Sequence, residues 1–181
     1  RENHLNNEVY IHDLNSYATG MHNCLSIPFD KLLKNGFNTR QTDVRPAQSI
    51  NTAFQLLAVI FQLQSLQEFG GVSSTHLDWT MVPYVRKSFY KHYVDGLRYV
   101  EAKDEQYIQQ YVYDIINDPE CFTEKQSIDS SWWKENNKAY TYALDMTKKE
   151  VYQAAEGMYH NLNTLQSRSG NQLPFTSINY G

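Results

Sequence analysis

The residues best suited to chemistry in this chain lie close together near its start, in the segment YIHDLNSYATGMHNCL. This segment runs from residue 10 to residue 25 and holds His12, His22 and Cys24. A thiol near imidazoles can act as a nucleophile, ligate a metal ion, form half of a disulfide or fill a small buried space. The role of Cys24 therefore determines what function to expect.

The spacing of these residues supports none of the chemical roles strongly. Three ligands in one loop seldom close a tetrahedral zinc site, and no CxxC or HExxH spacing accompanies them, so no metal site is predicted. His12 or His22 could activate Cys24 as a nucleophile, but no oxyanion-hole signature goes with the pair. A disulfide with Cys121 is disfavoured, because two cysteines without a signal-like segment indicate the reducing cytoplasm.

Length, charge and composition narrow the class of protein. The chain has 181 residues and a net charge of -4, which argues against general nucleic-acid binding, since that requires a basic surface. Binding of single nucleotides stays open. The chain lacks an initiating Met, and its last residues, PFTSINYG, read as a strand that stops where it should turn. We therefore expect a fragment of a larger protein.

Pro46–Gln67 carries no charge and reads as a long amphipathic helix with Pro46 near its first turn. Its apolar residues recur at helical spacing: Ile50, Ala53, Phe54, Leu57, Ile60 and Phe61. Five glutamines argue against a membrane span, since each would carry an unsatisfied amide into lipid. Gln48, Gln55 and Gln62 form a polar stripe with a spacing of seven residues. Two interpretations stay open: a buried core helix, or a subunit interface that also holds a polar ligand.

A second helix is predicted from about Asp78 to Val100, after the glycine-marked break EFGGVSS. Its apolar side consists of residues four positions apart: Val85, Phe89, Tyr93 and Leu97. Its basic cluster consists of Arg86, Lys87 and Lys91. Such a cluster is usually a solvated face, although lysine and arginine are also the side chains that bind phosphate.

Residues 102–144 are predicted to form surface helices interrupted at Asp118-Pro119. Trp132 and Trp133 are expected to anchor this segment to the body of the protein rather than to bind a ligand.

A third helix is predicted to begin at a capping box, Thr147 to Glu150, because the hydroxyl and the carboxylate can satisfy each other's unpaired backbone donors. Its apolar stripe consists of Val151, Ala155, Met158, Leu162 and Leu165. The helix is expected to end near SRSGNQ, where Gly170 can take a positive φ. The following LPFTSINYG alternates like a strand with polar groups on one face, which suggests a wet cavity. Helices with interspersed short strands predict an α/β body that contains more helix than sheet.

Several motifs of this chain, in their order and spacing, resemble those of the anaerobic class III ribonucleotide reductases. These motifs are VYIHDLNSY, NCLSIPFDKLLKNGF, PAQSINTAFQLL, QEFGGVSS, MVPYVRKSFYKH and KKEVYQAAEGMYHNLNTLQSRSGNQLPFTSINYG. The similarity covers Glu8–Leu97 and Met146–Gly181. Each motif alone is modest, whereas the ordered set is specific.

The resemblance implies a glycyl-radical enzyme that reduces ribonucleoside triphosphates to 2'-deoxyribonucleotides. Residues 1–181 would form one fragment of a ten-stranded α/β barrel, namely the first half-barrel with long interface helices, and residues 102–145 would be a lineage-specific helical insertion. In this family the cysteine of the NC motif faces the ribose, and Cys24 matches it. Cys24 would act in its protonated form and give the departing 2'-oxygen a proton and then reducing equivalents. A second cysteine, which bears the radical, would abstract the 3'-hydrogen.

The resemblance also implies further site residues. Substrate contacts are expected from His12, Asn23, Ser167, Gly170 and Gln172. For Ser167, Gly170 and Gln172, a capped helix end is an equally good interpretation. Contacts to an allosteric nucleotide in a dimer interface are expected from Gln55, Gln62, Lys87 and Lys91, with Lys91 the foremost candidate.

The implied cofactors are a glycyl radical and a structural zinc ion, both expected outside this fragment, with formate or a protein dithiol as the reductant. The implied partners are ribonucleoside triphosphates, allosteric nucleotides, a radical-SAM activating protein and a second subunit in a homodimer. Neither direct nucleic-acid binding nor a membrane is expected, and the enzyme would be cytoplasmic. The isolated fragment is expected to be inactive. Two alternatives stay open: a noncatalytic nucleotide-binding or dimerisation module on the same scaffold, and another glycyl-radical enzyme such as an acyl-forming lyase.

Overall fold

The computed structural model describes residues 1–11, 20, 24–38, 43–68, 70–110, 131–164 and 175–181, without the side chains of residues 131 and 132. The helices are α1 (Glu2–Leu5), α2 (Phe29–Asn35), α3 (Ile50–Ser65), α4 (Leu77–Asp95), α5 (Ser131–Lys134) and α6 (Asn137–Thr164). A π-helical turn, Gly96–Val100, continues α4. The strands are β1 (Leu25–Ile27), β2 (Phe37–Asn38), β3 (Asp43–Val44), β4 (Val72–Ser74) and β5 (Thr176–Ile178).

Helix α3 confirms the first predicted helix, but it begins at Ile50 rather than close to Pro46. The Ser49 side chain accepts a hydrogen bond from the backbone N–H of Thr52 at 3.2 Å. This cap satisfies one of the backbone donors that the start of a helix leaves unpaired. Pro46, expected near the first turn, lies three residues before this cap and outside the helix.

Helix α4 confirms the second predicted helix and starts one residue earlier than expected, at Leu77. Its π-helical continuation ends at Val100, the predicted end. A Cβ atom at Gly96 would lie only 3.0 Å from backbone atoms of Ala139 in α6. Glycine at this position therefore lets the end of α4 pack closely against α6.

The start predicted for the third long helix is wrong. Helix α6 spans Asn137–Thr164, so Thr147 lies in its interior and is buried rather than acting as a cap. Ala139, Tyr140 and Ala143 extend the buried face toward the N-terminus. Most of the stability of a protein helix comes from packing of its apolar face, and here that packing overrides a local start signal. Leu165 and the predicted end at Gly170 lie outside the described residues.

Strands β1, β4 and β5 form a parallel sheet in which β4 is central. The register pairs Leu25 with Val72 and Val72 with Thr176. Parallel strands need long crossover connections, and here α2, α3, α4 and α6 lie within those connections. Strands β2 and β3 form a separate antiparallel pair. The helix-rich α/β class is confirmed, whereas the ten-stranded barrel stays a prediction.

Two hydrophobic cores lie along α4 and α6. The sheet core packs α3 and the first half of α4 beneath the sheet and includes Ile27, Leu33, Leu57, Phe61, Val72, Met81, Ala154, Met158 and Leu162. The aromatic core uses the second half of α4 and the first half of α6 and consists of Phe89, Tyr90, Tyr93, Leu97, Ile108, Trp133, Ala139, Tyr140 and Ala143.

Trp133 is 1% exposed in the aromatic core, which confirms that this residue anchors its segment to the body of the protein. The Trp132 side chain and the Asp118-Pro119 break lie outside the described part of the chain. Within the described ranges, no helix combines the length and the apolar character needed to cross a membrane.

Candidate active site

One face of the parallel sheet carries Cys24. Alternate residues of a strand point to opposite faces, and residues in register on neighbouring parallel strands point to the same face. A first row, the cysteine row, consists of the residues directly before each strand: Cys24, Gly71 and Phe175. A second row, the serine row, consists of Ser26, Ser73 and Ser177. The members on the outer strands are exposed, and those on β4 are half-buried.

The opposite face of the sheet closes the sheet core. It is formed by Leu25, Ile27, Val72, Ser74, Thr176 and Ile178, all buried or half-buried. A shift of one residue in register would exchange the two faces and bury the thiol. The apolar residues that alternate with the rows therefore hold Cys24 and the serines on the open face.

Backbone groups of Gly71 hold the start of β1 from two directions. The Gly71 N–H donates to the Cys24 Sγ at 3.4 Å, and the Gly71 carbonyl accepts from the Leu25 N–H at 3.1 Å. On the other side of Gly71, the Val72 N–H donates to the Phe175 carbonyl at 2.8 Å. Cys24 is exposed, so the sheet positions its sulfur while leaving it accessible from outside.

In the serine row, the hydroxyl of Ser73 donates to the Leu25 carbonyl at 3.4 Å. This bond ties β4 to β1 and leaves the oxygen of the Ser73 hydroxyl as an acceptor. Neither row contains a charged residue. The open face therefore combines one thiol with several neutral hydroxyl groups.

The expected substrate residues His12, Asn23, Ser167, Gly170 and Gln172 all lie outside the described residues, as do His22 and Cys121. Their contacts with substrate stay predictions. Among the residues that the structure does describe, no group of three or more His, Cys, Asp or Glu side chains could hold a metal ion.

Lys87, an expected effector residue, contacts the segment that precedes α3. Its ammonium donates to the Ala47 carbonyl at 3.1 Å and to the Gln48 side-chain oxygen at 3.2 Å. Burial lowers the pKa of the Lys87 ammonium from its usual value. Lys91, one turn further along α4, is exposed. The two lysines therefore have different surroundings, and only Lys91 extends fully into solvent.

The polar stripe of three glutamines does not form one surface. Gln48 precedes α3, whereas Gln55 lies on the helix and is exposed. The Gln62 amide donates to the Asn161 carbonyl of α6 at 3.2 Å. Its Cα lies about 18 Å along the helix from Ile50, at 1.5 Å per residue. Because Ile50 lies beside Ser88, the neighbour of Lys87, Gln62 is distant from the lysines.

A groove of about 530 Å³ lies between α2 and α4 and includes Lys87 among its lining residues. The α2 side contributes Asp30, Lys31, Lys34 and Asn35, and the α4 side contributes Trp79, Thr80, Pro83, Tyr84 and Lys87. Burial, and after it the Asp30 carboxylate, raise the pKa of the Tyr84 hydroxyl to about 12. The groove is mixed in charge and contains none of the other predicted site residues.

The sequence alone does not identify Ser26, Gly71 and Ser73 as members of the candidate site. Their signal is present in LSI and VSS, where polar and apolar residues alternate, but runs of three residues are too short to distinguish a strand from a loop. Ser177 was noticed, because LPFTSINYG alternates over a longer stretch. Which strands become neighbours depends on pairing between distant segments, and composition does not reveal that.

A sequence model of the family described as anaerobic ribonucleoside-triphosphate reductase matches residues 1–181. The anaerobic ribonucleoside-triphosphate reductase of Haemophilus influenzae is 29% identical over 182 residues, covering 99% of this chain and 20% of that protein. The protein of the same name from Enterobacteria phage T4 is 25% identical over 174 residues, covering 96% of this chain and 23% of its own length. The protein of the same name from Salmonella typhimurium is 26% identical over 179 residues, covering 98% of this chain and 20% of its own length.

The chain thus spans about a fifth of the length of the curated relatives it matches. The family match also runs through residues 102–145, for which the motifs alone suggested no counterpart. The proposed boundary at residue 145 falls inside α6. A lineage-specific insertion at 102–145 stays a prediction.

Proposed function

Because the chain belongs to the anaerobic ribonucleoside-triphosphate reductase family, we propose that it forms part of such an enzyme and carries its reducing thiol, Cys24. Residues 1–181 would contribute strands and interface helices to a ten-stranded α/β barrel, with the cysteine row on the inner face. The observation that carries this proposal is the place of Cys24: exposed, fixed by a backbone amide, and on the polar face of a parallel sheet.

The net reaction removes the 2'-hydroxyl of the ribose as water. With formate as the reductant, the ribonucleotide, formate and one proton yield the deoxyribonucleotide, carbon dioxide and water. Formate loses two electrons, and the 2'-carbon gains them as its C–O bond is replaced by a C–H bond. A neutral thiol suits the proton-transfer step, because a hydroxyl leaves readily only when its oxygen receives a proton.

The contact with Gly71 suits this role for Cys24. Sulfur is the acceptor of the Gly71 N–H, so the bond fixes the position of the sulfur without using the thiol proton. Beside the thiol, the two rows offer neutral hydroxyl groups and no charged side chain. These features support the proposal that Cys24 gives a proton to a ribose lying over the cysteine row.

The family's cofactors and activating protein belong to the proposal for the whole enzyme. The glycyl radical, when formed by the radical-SAM activating protein, supplies the oxidation that begins the reaction. We assign no residue of this chain to that radical, to the structural zinc ion or to the radical-bearing cysteine.

We also propose that the enzyme is a homodimer whose interface includes α3. One side of α3 is buried in the sheet core, while Val59 and Leu63 on its other side and Leu66 directly after it are 41%, 44% and 57% exposed. A second subunit would cover this apolar strip. Solution scattering of the full-length enzyme should show a dimer, and Leu63→Glu should shift it toward the monomer.

An allosteric nucleotide is proposed to contact Lys91. In the full-length enzyme, Lys91→Ala should weaken effector binding by roughly 1.5 to 3 kcal/mol, the value of a charge-assisted hydrogen bond. Basal reduction should persist. Lys148→Ala, which removes an exposed lysine from α6, is the matched control and should leave effector affinity unchanged. Equal affinities for all three proteins would refute the role of Lys91.

The thiol role is tested with Cys24→Ser in the intact, radical-activated enzyme. Serine has roughly the size of cysteine and keeps an O–H donor. It cannot form the sulfur–sulfur bond that would link Cys24 to the radical-bearing cysteine after the 2'-oxygen departs. We expect normal folding and a normal glycyl radical signal in electron paramagnetic resonance, together with loss of deoxynucleotide formation.

Other roles for Cys24 give different results in the same experiment. A structural thiol predicts lower stability with activity retained, and a metal ligand predicts metal loss. A noncatalytic module predicts that neither the wild-type protein nor the variant forms product. Substantial product from Cys24→Ser would contradict the assignment of Cys24 as the reductant.

A further inference from the structure

The serine row lies beside the thiol and presents uncharged hydroxyl groups, which can donate or accept hydrogen bonds. We infer that Ser26, Ser73 and Ser177 bind the nucleobase of the ribonucleotide, and that they accept all four bases because their hydroxyl groups can donate or accept. This inference rests on the proposed function, since it requires the ribose to lie over Cys24.

The distance between the two rows suits this arrangement. Two residues along a strand advance about 6.6 Å, and neighbouring strands lie about 4.8 Å apart. The serine row therefore begins one short step beyond the thiol and extends across three strands. A flat base that projects sideways from a sugar over the cysteine row would place its polar edge along the serines.

The absence of charge in the two rows favours the base over the phosphates. A triphosphate carries several negative charges and is usually bound by lysine, arginine or the backbone amides of a helix start. The cysteine and serine rows contain none of these side chains. Neutral hydroxyl groups match the neutral amino groups, ring nitrogens and carbonyls of a nucleobase, so we assign the base rather than the phosphates to the serine row.

Serine hydroxyls also suit a site that must accept every base. Adenine and cytosine present an amino donor where guanine and uracil present a carbonyl acceptor. A hydroxyl has one donor and two acceptor lone pairs and rotates to suit its partner. Ser73 donates to the Leu25 carbonyl and thus offers acceptor capacity at the centre, while Ser26 and Ser177 are exposed at the two sides.

The test uses Ser26→Ala, Ser177→Ala and the double variant of the intact, radical-activated enzyme. Each single variant should lower kcat/KM by about two- to tenfold for all four ribonucleoside triphosphates, the value of one net hydrogen bond. The loss should appear mainly as a higher KM. Abasic ribose 5'-triphosphate serves as a competitive inhibitor, and its inhibition constant should be the same for the variants as for the wild type.

Ser74→Ala is the matched control from the opposite face of β4. Its hydroxyl is buried and has no hydrogen-bond partner among the described residues, so its removal should not raise KM. Unchanged KM values in the double variant would overturn the inference. An equal rise in the inhibition constant of the abasic triphosphate would also overturn it, because the serines would then bind the sugar or phosphates.

Failure of this inference is distinguishable from failure of the proposed function. Loss of a base contact changes KM and leaves the chemistry and the radical signal intact, whereas the role of Cys24 is tested by turnover in Cys24→Ser. A product-forming Cys24→Ser enzyme with serine variants of raised KM would refute only the thiol assignment.

Discussion

The two hydrophobic cores share the same pair of long helices but support different parts of the molecule. The sheet core joins α3 and the strands to the first half of α4 and the second half of α6. The aromatic core joins the other halves of α4 and α6 to Trp133 and surrounding rings, and the part of the chain that the structure describes contributes no strand residue to it. Among the described residues, only the sheet core includes residues of the strands beside Cys24.

Because of this difference, we expect the sheet core to position the site and to stabilise the protein, and the aromatic core to contribute to stability alone. The open sheet face is positioned by the residues that alternate with the cysteine and serine rows, of which Leu25, Ile27, Val72 and Ile178 pack into the sheet core. In the aromatic core, Trp133 packs against Phe89, Tyr90 and Tyr93 with ring centroids 4.7 to 5.5 Å apart. We therefore expect aromatic-core damage to lower stability, and sheet-core damage also to alter the thiol.

The largest effect is expected for Trp133→Ala in the full-length protein. Removing this fully buried ring should lower the free energy of unfolding by about 3 to 5 kcal/mol, measured by chemical denaturation. The rate at which iodoacetamide alkylates Cys24 in the folded protein should stay at its wild-type value. A clear change in that rate would show that the two cores are coupled.

Leu57→Ala makes the corresponding cavity in the sheet core, where Leu57 is fully buried. The free energy of unfolding should fall by about 2 to 5 kcal/mol. Unlike Trp133→Ala, this variant should also change the alkylation rate of Cys24, because the strands above the cavity lose part of their support. An unaltered rate would break the proposed link between this core and the site.

Tyr84 in the sheet core and Tyr93 in the aromatic core both have a raised pKa, which predicts how the two cores respond to alkaline pH. Burial is the main cause for both, and it raises the pKa of Tyr84 in the sheet core and of Tyr93 in the aromatic core to about 12. The folded state favours the neutral phenol, so this stability is fully present below about pH 10, the unfolded value, and is lost as pH rises through about 12.

Chemical denaturation between pH 9 and pH 12 measures this loss. Tyr84→Phe and Tyr93→Phe should each make the decline with pH shallower, and the double variant should be shallowest. Tyr93→Phe should also lose some stability at neutral pH, because the Tyr93 hydroxyl donates to the Trp133 carbonyl at 3.2 Å. Variants with the same pH slope as the wild type would exclude these phenols as the cause.

The smallest effect concerns the glutamines of α3. Gln62→Ala should lower the free energy of unfolding by about 0.5 to 1.5 kcal/mol, because it removes the hydrogen bond to Asn161. Gln55→Ala, at an exposed site on the same helix, should stay within about 0.5 kcal/mol of wild type. Equal losses would mean that the contact between α3 and α6 contributes little.

Long apolar repeats made α3 and α4 predictable, because their period is visible over many turns. The start of α6 was not, since it depends on how Ala139 and Tyr140 pack against α4 rather than on a local cap. Two residues of the site were predictable: Ser177 followed from the alternation of LPFTSINYG, and Cys24 followed from the resemblance of its motif, not from the spacing of nearby histidines. Its neighbours Gly71 and Phe175 are brought together by strand pairing over about a hundred residues, which no local pattern encodes.

A crystal structure of the intact enzyme with a bound ribonucleoside triphosphate would test the central claim most directly. We predict that the ribose lies over the cysteine row, with the Cys24 sulfur within hydrogen-bond distance of the 2'-oxygen. This prediction would be contradicted by a structure in which protein covers Cys24, or in which the ribose contacts a different surface and the thiol has no access to the 2'-oxygen.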